Sequence, residues 1–209
     1  FRWFGRERSR LIEFVCSDMW QPYLKVIAKK AGQAVHVLDR FHIMQHLSKA
    51  IDEIRAKEAK KMTAAGYEPV LKRTRWCLLK RPDNLTEKQE VTLAGLLRYN
   101  LKTVRAYLLK EDFQGFWDYV MPYWAGRFLD RWCTRTMRSR LEPMKKVARL
   151  LRHHRDLILN WCRKSVDPYT RSRPVVLVLG RRRRTRSATV SPHSPRAQRF
   201  MASRSRTPQ

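Results

Sequence analysis

The hydrophobic pattern changes twice between residues 10 and 39, and this change restricts the fold more than any other feature of the sequence. Residues 10–16 form a short run rich in β-branched and aromatic residues, which is typical of a buried strand. A helical pattern follows, with Pro22 in its first turn and Gly32 at its end. Residues 34–39 form a second run of strand length. This order predicts a parallel pair of strands, with Asp18 and Asp39 at the carboxyl ends where such sheets place functional sites.

From residue 40 to about residue 161 the pattern is helical throughout. Apolar residues recur at steps of three and four between Phe41 and Ile54, and Thr86 with Gln89 has the residue types of a capping box. The lengths are consistent with about six helices. The sequence therefore predicts an α/β segment over residues 1–40 and an all-helical domain over residues 41–162.

Residues 163–209 have a different composition. They are mostly Arg, Ser, Pro and Thr, with one apolar run at residues 175–179. Such a segment buries too little apolar surface to offset its chain entropy, so we expect a disordered basic tail. The chain begins without Met, and we expect it to be an incomplete piece of a longer protein.

The formal net charge is +28, which favours a polyanionic partner such as nucleic acid. A ribosomal-type or membrane-surface protein is the alternative explanation of such a charge. Residues 1–160 still carry +16, so the tail increases the positive charge but is not its only source. No apolar run approaches the ~20 residues that a membrane span requires. The four cysteines form no CxxC pair, which argues against a zinc ribbon and predicts a reducing, cytoplasmic location.

Asp18 is the candidate for catalysis and for metal binding. A carboxylate that ends a buried strand can bind Mg²⁺, which prefers oxygen ligands from one or two carboxylates and from substrate phosphates. The alternative is a structural role, because Asp is also a common cap of the helix that follows.

Asp39, His42 and His46 form a second candidate, with the spacing D-x-x-H-x-x-x-H. If Asp39 caps a helix, the two histidines lie four residues apart on one face, which is a spacing used by metal ligands. A helix cap followed by ordinary helical histidines explains the same pattern. The sequence does not decide whether these three residues have a functional role.

Basic residues alternate with aromatic ones in three segments of the helical region. Lysine and arginine neutralise phosphates, and aromatic rings stack on unpaired bases, so these segments are candidates for DNA contact. A solvated helix face is the alternative, although the sequence holds few acids to balance this charge. The predicted DNA-binding residues are Lys72, Arg73, Arg75, Trp76, Arg131, Arg135, Arg138, Arg140, Lys145 and Lys146.

Four short strings carry a resemblance to a known family. They are Ser-Asp-Met-Trp at residues 17–20, Asp-Arg-Phe-His at 39–42, Thr-Arg-Thr-Met at 134–137 and His-Arg-Asp-Leu at 154–157. With their surroundings, they resemble the DDE transposases of the ISL3 group of bacterial insertion sequences. The resemblance extends from about residue 1 to residue 161.

The resemblance implies a ribonuclease H-like sheet with an Asp, Asp, Glu triad, interrupted by an all-helical insertion before the Glu. Asp18 matches the second Asp, and the helices from Arg40 onward match the insertion. The implied activity is DNA strand cleavage and transfer with two Mg²⁺ or Mn²⁺ ions. The implied partner is the terminal repeats of the insertion sequence, and the intact enzyme is a candidate homo-oligomer.

Two acids of that triad are missing from this chain. The first Asp is expected upstream of Phe1, and the Glu is expected after Trp161 in a Val-Glu-Gly-x-Asn type of segment that the chain lacks. A frameshift explains the tail, because codons that encode residues 178–184 can encode Ser-Ser-Gly-Val-Val-Glu-Gly when read one base later. We therefore expect residues 163–209 to be out of frame, which translation of the encoding DNA in all frames tests.

The sequence thus predicts a transposase fragment that is inactive by itself. The alternative from another class is a non-catalytic nucleic-acid-binding protein built on the helical region. A product of a pseudogene with no activity is the third possibility.

Overall fold

The strand, helix and strand predicted for the first forty residues are present. The computed structural model describes residues 5–68, 70–163 and 176–179, within a compact unit that spans Phe1–Leu179. A short helix α1 covers Arg6–Arg10, strand β1 covers Phe14–Ser17 and strand β2 covers Val35–Leu38. The two strands pair in parallel. The predicted start of β1 at residue 10 was too early, because Arg10 ends α1 and Leu11 is exposed.

Helix α2 covers Gln21–Lys30 and connects the two strands. Its Ile27 and the following Ala31 pack with Ile12 and Val15 into a small buried cluster, so α2 covers one face of the sheet. Gly32 follows at a position of close approach. A Cβ there would lie 2.8 Å from the carbonyl oxygen of Ala28, so the chain passes the end of α2 only with glycine at this site.

Seven α-helices follow in the described residues, against about six predicted. Two separate helices cover residues 142–163, because the chain leaves helical geometry at His154. The capping box at Thr86 and Gln89 is confirmed. The helices are α3 (Arg40–Ala64), α4 (Arg75–Leu79), α5 (Glu87–Leu97), α6 (Lys102–Gln114), α7 (Pro122–Arg138), α8 (Glu142–His153) and α9 (Arg155–Arg163), with 3-10 turns at Pro82–Asn84 and Gly115–Asp118.

One large core joins these helices to the sheet. Its buried residues extend from Leu38 in β2 to Cys162 in α9, and Trp132 and Phe113 are among its largest fully buried side chains. The side-chain amide of Asn160 donates a hydrogen bond of 2.8 Å to the backbone carbonyl of His36. Secondary structure changes near residue 40, and the helical region after it packs directly against the sheet.

A third strand forms inside the segment predicted to be a disordered tail. Strand β3, Val176–Leu179, pairs in parallel with β1, which gives the sheet the order β2-β1-β3. The prediction of disorder fails for these four residues because they are apolar and β1 has a second edge whose backbone groups require partners. The rest of the predicted tail beyond Arg163 lies outside the described residues.

Candidate carboxylate site and basic helix surfaces

Asp18 lies where the sequence predicts, directly after the middle strand β1 at its carboxyl end. The half-buried side chain accepts a hydrogen bond of 3.0 Å through Oδ1 from the backbone N–H of Trp20, the residue before α2. The alternative role as a helix cap is not found, because Trp20 is the N-cap of α2 and α2 has no side-chain cap, while Asp18 closes the turn before the helix. Oδ2 accepts no hydrogen bond from the residues that the structure describes. One carboxylate oxygen is held by the turn, and the other can bind a ligand.

Asp39 lies at the end of the neighbouring strand and caps α3. Its Oδ1 accepts a hydrogen bond of 2.9 Å from the N–H of Phe41, which confirms the predicted cap. Its own N–H donates to the carbonyl of Ser17 at 2.8 Å, so the ends of β1 and β2 are tied together. Asp39 Oδ2 is 3.7 Å from His42 Nε2. Both oxygens of Asp39 therefore have a neighbouring partner group, whereas only Oδ1 of Asp18 has one among the described residues.

The histidines on α3 lie near this edge of the sheet. Burial first, and then the charges of His42 and Lys49, lower the pKa of His46, while the carboxylate of Asp18 opposes the shift. Asp18 is thus close enough for its charge to act on His46. Within residues 5–68, 70–163 and 176–179, no three His, Cys, Asp or Glu side chains are grouped so that they could hold a metal ion. Asp39, His42 and His46 do not form a metal site among the described residues.

His36 contacts the end of the strand that precedes Asp18, and the sequence analysis did not identify it. His36 Nε2 is 2.7 Å from Ser17 Oγ, and Ser17 Oγ donates to the carbonyl of Asp18 at 2.8 Å. The hydroxyl of Ser17 therefore links His36 of β2 to the backbone at the end of β1. Burial, and then repulsion from His154, lower the pKa of His36 and favour its neutral form. The register of β1 with β2 identifies the contact, and the sequence pattern gave no signal for it.

Nine of the ten predicted DNA-binding side chains are exposed, and Lys145 is half-buried. Three have carboxylate partners: Arg75 pairs with Asp52, Arg135 with Asp112 and Lys145 with Glu142. The other six basic residues have no ion pair with a described carboxylate, and their charges remain available to an anionic ligand. They are Lys72, Arg73, Arg131, Arg138, Arg140 and Lys146.

The aromatic residues of these segments behave differently from one another. Trp76 is 55% exposed, with the guanidinium of Arg75 lying 5.2 Å from its ring centre. Trp132 is only 1% exposed, and its Nε1 donates a hydrogen bond of 2.9 Å to the carbonyl of Leu109. Stacking of bases on Trp132 is therefore excluded. The aromatic residues that α7 exposes are Tyr123 and Trp124, which the sequence analysis missed.

A groove of about 570 Å³ lies between α6 and the second half of α7. Arg105, Arg135 and Arg138 line it together with the exposed Leu108, and Asp112 is its one acidic residue. Because Asp112 pairs with Arg135, two arginines in the groove keep uncompensated charge. The groove brings together two predicted residues and adds Arg105, which lies 30 residues earlier than Arg135 in the chain.

None of the described helices combines the length and the apolar composition that crossing a lipid bilayer would require.

Comparison with known proteins gives consistent matches. A family model for ISL3-type DDE sequences, described as a transposase, matches residues 1–170. The transposase for insertion sequence element IS1001 of Bordetella parapertussis is 29% identical over 161 residues, which are 76% of this chain and 40% of that protein. The transposase for insertion sequence element IS1557 of Mycobacterium tuberculosis is 27% identical over an alignment of 173 residues. The alignment covers 72% of this chain and 39% of that protein. No solved structure matches.

Proposed function

The chain belongs to the ISL3 family of DDE transposases, and we propose that it contributes one carboxylate and the helical insertion to an enzyme that cuts and joins DNA. The proposal depends on the position of Asp18. It lies at the carboxyl end of the middle strand, and its Oδ2 accepts no hydrogen bond from a described residue. The chain spans about 40% of the length of the curated relatives it matches. The activity of the whole enzyme is therefore part of the proposal.

The sheet is consistent with the ribonuclease H-like core that the family resemblance implies. Two parallel strands joined by α2 end in Asp18 and Asp39, and α3 begins directly after the second strand. We propose that Asp18 is the second acid of the triad and that the helices after Arg40 form the insertion that separates it from the third acid.

Mg²⁺ or Mn²⁺ is the cofactor that this assignment requires. An unpartnered carboxylate oxygen suits such ions, which prefer oxygen ligands. Asp18 would supply one ligand, and we propose that the first Asp and the Glu of the triad supply the others. A bound pair of ions would activate the attacking hydroxyl and stabilise the leaving oxygen. In this chain, Trp20 holds one oxygen of Asp18 in place, while Ser17 and His36 hold the strand end.

The proposed DNA partner is the terminal repeats of the insertion sequence, bound by a homo-oligomer in the cytoplasm. The exposed arginines of α7 and of the groove beside it support binding to the phosphate backbone. A non-catalytic DNA-binding protein is the competing function, and it is favoured by the lack of a complete ligand group in the described residues. The two functions are distinguished by whether replacement of Asp18 reduces metal-dependent DNA cleavage.

Binding of the full chain to duplex DNA should weaken steeply as the salt concentration rises. Each phosphate that is neutralised contributes a slope of about −0.9 to the plot of log affinity against log salt. The double change Arg131→Gln and Arg138→Gln should therefore reduce the magnitude of the slope by about 2. Fluorescence anisotropy with a labelled duplex at several salt concentrations measures it.

Lys57→Gln is the control, because Lys57 is exposed and its Nζ lies 2.7 Å from Oε1 of Glu53. Its charge is already compensated within the protein, and the slope should stay the same. Removing residues 164–209 should weaken binding without abolishing it. Binding that does not depend on salt, or no binding at low salt, would contradict a role for these arginines.

A further inference from the structure

The first turns of α7 expose an aromatic pair that the packing of the protein does not use. Tyr123 is 63% exposed and Trp124 is 51% exposed, and their ring centres are 5.0 Å apart with planes inclined by 77°. The guanidinium of Arg127 lies 5.9 Å from the ring centre of Tyr123 and 5.7 Å from that of Trp124. One cation therefore lies against two exposed rings.

The charges along this face of α7 favour a polyanion. Arg127 and Arg131 have no carboxylate partner among the described residues, and they lie four residues apart, about 6 Å along the helix axis. Asp130 is the nearby acid on the same helix. Arg155 neutralises it with two hydrogen bonds of 3.0 and 2.9 Å.

A glycine allows this neutralisation. A Cβ at Gly126 would lie 2.7 Å from Nη2 of Arg155, so Arg155 reaches across α7 because residue 126 has no side chain. The surface therefore combines two exposed rings, two unpaired arginines and an acid whose charge is already compensated.

We propose that Tyr123, Trp124, Arg127 and Arg131 bind single-stranded DNA, with an unpaired base stacked on Trp124 and phosphates on the two arginines. This inference rests on the proposed DNA-binding function and specifies that this surface binds DNA in single-stranded form. Bases in a duplex are already stacked on each other, so exposed rings gain most from bases that have no partner. The binding is tolerant of sequence, because every base has a face to stack.

The test compares two oligonucleotides of the same length, one with bases and one composed of abasic sites. Both carry the same phosphates, so the arginines and residues 180–209 act on both alike. Trp124→Ala in the full chain should weaken binding of the base-bearing strand by roughly 5- to 150-fold, the range expected for loss of one stacked base. Affinity for the abasic strand should change less than about twofold. Fluorescence anisotropy measures both affinities.

Two further variants make the test specific. Trp124→Phe keeps a ring and should retain most of the affinity for the base-bearing strand. Tyr99→Ala removes a ring that is 50% exposed and makes no cation–π contact with a described residue, and it should have no effect on either strand. An equal loss for both strands with Trp124→Ala, or no loss for either, would overturn the stacking proposal. Failure of the unmodified chain to bind any DNA would contradict the DNA-binding function as well.

Discussion

In an enzyme that joins this chain to the first Asp and the Glu implied by the family resemblance, Asp18→Asn should reduce metal-dependent DNA cleavage by about 1000-fold or more. The amide keeps the shape of the side chain, and its oxygen can still accept the N–H of Trp20. It loses the negative charge that holds a divalent ion, and catalysis at such a site depends on that ion. Cleavage at the ends of the insertion sequence, measured with Mg²⁺ and with Mn²⁺, tests this.

Asp39→Asn is the matched control, because Asp39 ends the neighbouring strand. Both of its oxygens already have partners in the structure, and asparagine caps helices about as well as aspartate. This variant should keep most of its cleavage activity. If Asp39→Asn were as inactive as Asp18→Asn, Asp39 would belong to the metal site. Full activity of the Asp18→Asn enzyme would show that Asp18 is not the catalytic aspartate.

Trp132→Ala should destabilise the protein by about 3–5 kcal/mol, the usual cost of removing a large aromatic side chain from a core. The ring of Trp132 packs against Phe113, with centres 4.8 Å apart, and its Nε1 donates to the carbonyl of Leu109. Removal leaves a cavity and takes away the hydrogen bond that the Leu109 carbonyl accepts from this side chain. Since domains are stable by only about 5–15 kcal/mol, this is a large fraction of the total.

Urea denaturation of the full chain measures this effect. Trp124→Ala is the control, because it removes the same side chain from an exposed position of the same helix, and it should change stability by about 0.5 kcal/mol or less. A cost for Trp132→Ala no greater than that for Trp124→Ala would contradict the packing described for α7.

Local patterns were sufficient to predict the segment that carries Asp18. Strand β1, helix α2 and strand β2 follow from β-branched runs, from Pro22 near the start of the helix and from Gly32 beyond its end. The cap at Asp39 and the capping box at Thr86 were predicted for the same reason, since each joins residues within three positions.

Features that depend on distant contacts were not predictable in this way. Trp76 and Trp132 both follow an arginine, yet the first is exposed and the second is buried, because the fold brings Phe113 and the carbonyl of Leu109 against Trp132. The pairing of β3 with β1 joins residues more than 150 positions apart. The contact between Ser17 and His36 requires the register of two strands, and the ring pair on α7 requires knowledge of which side of that helix is buried.

A nicking assay tests most directly whether Asp18 is a catalytic carboxylate that cannot act within this chain alone. The purified 209-residue chain and its Asp18→Asn variant are each incubated with supercoiled DNA and Mg²⁺ or Mn²⁺. Relaxed DNA should form no faster with the unmodified chain than with the variant, because one carboxylate cannot position two ions. Metal-dependent nicking by the unmodified chain that disappears with Asp18→Asn would contradict this account.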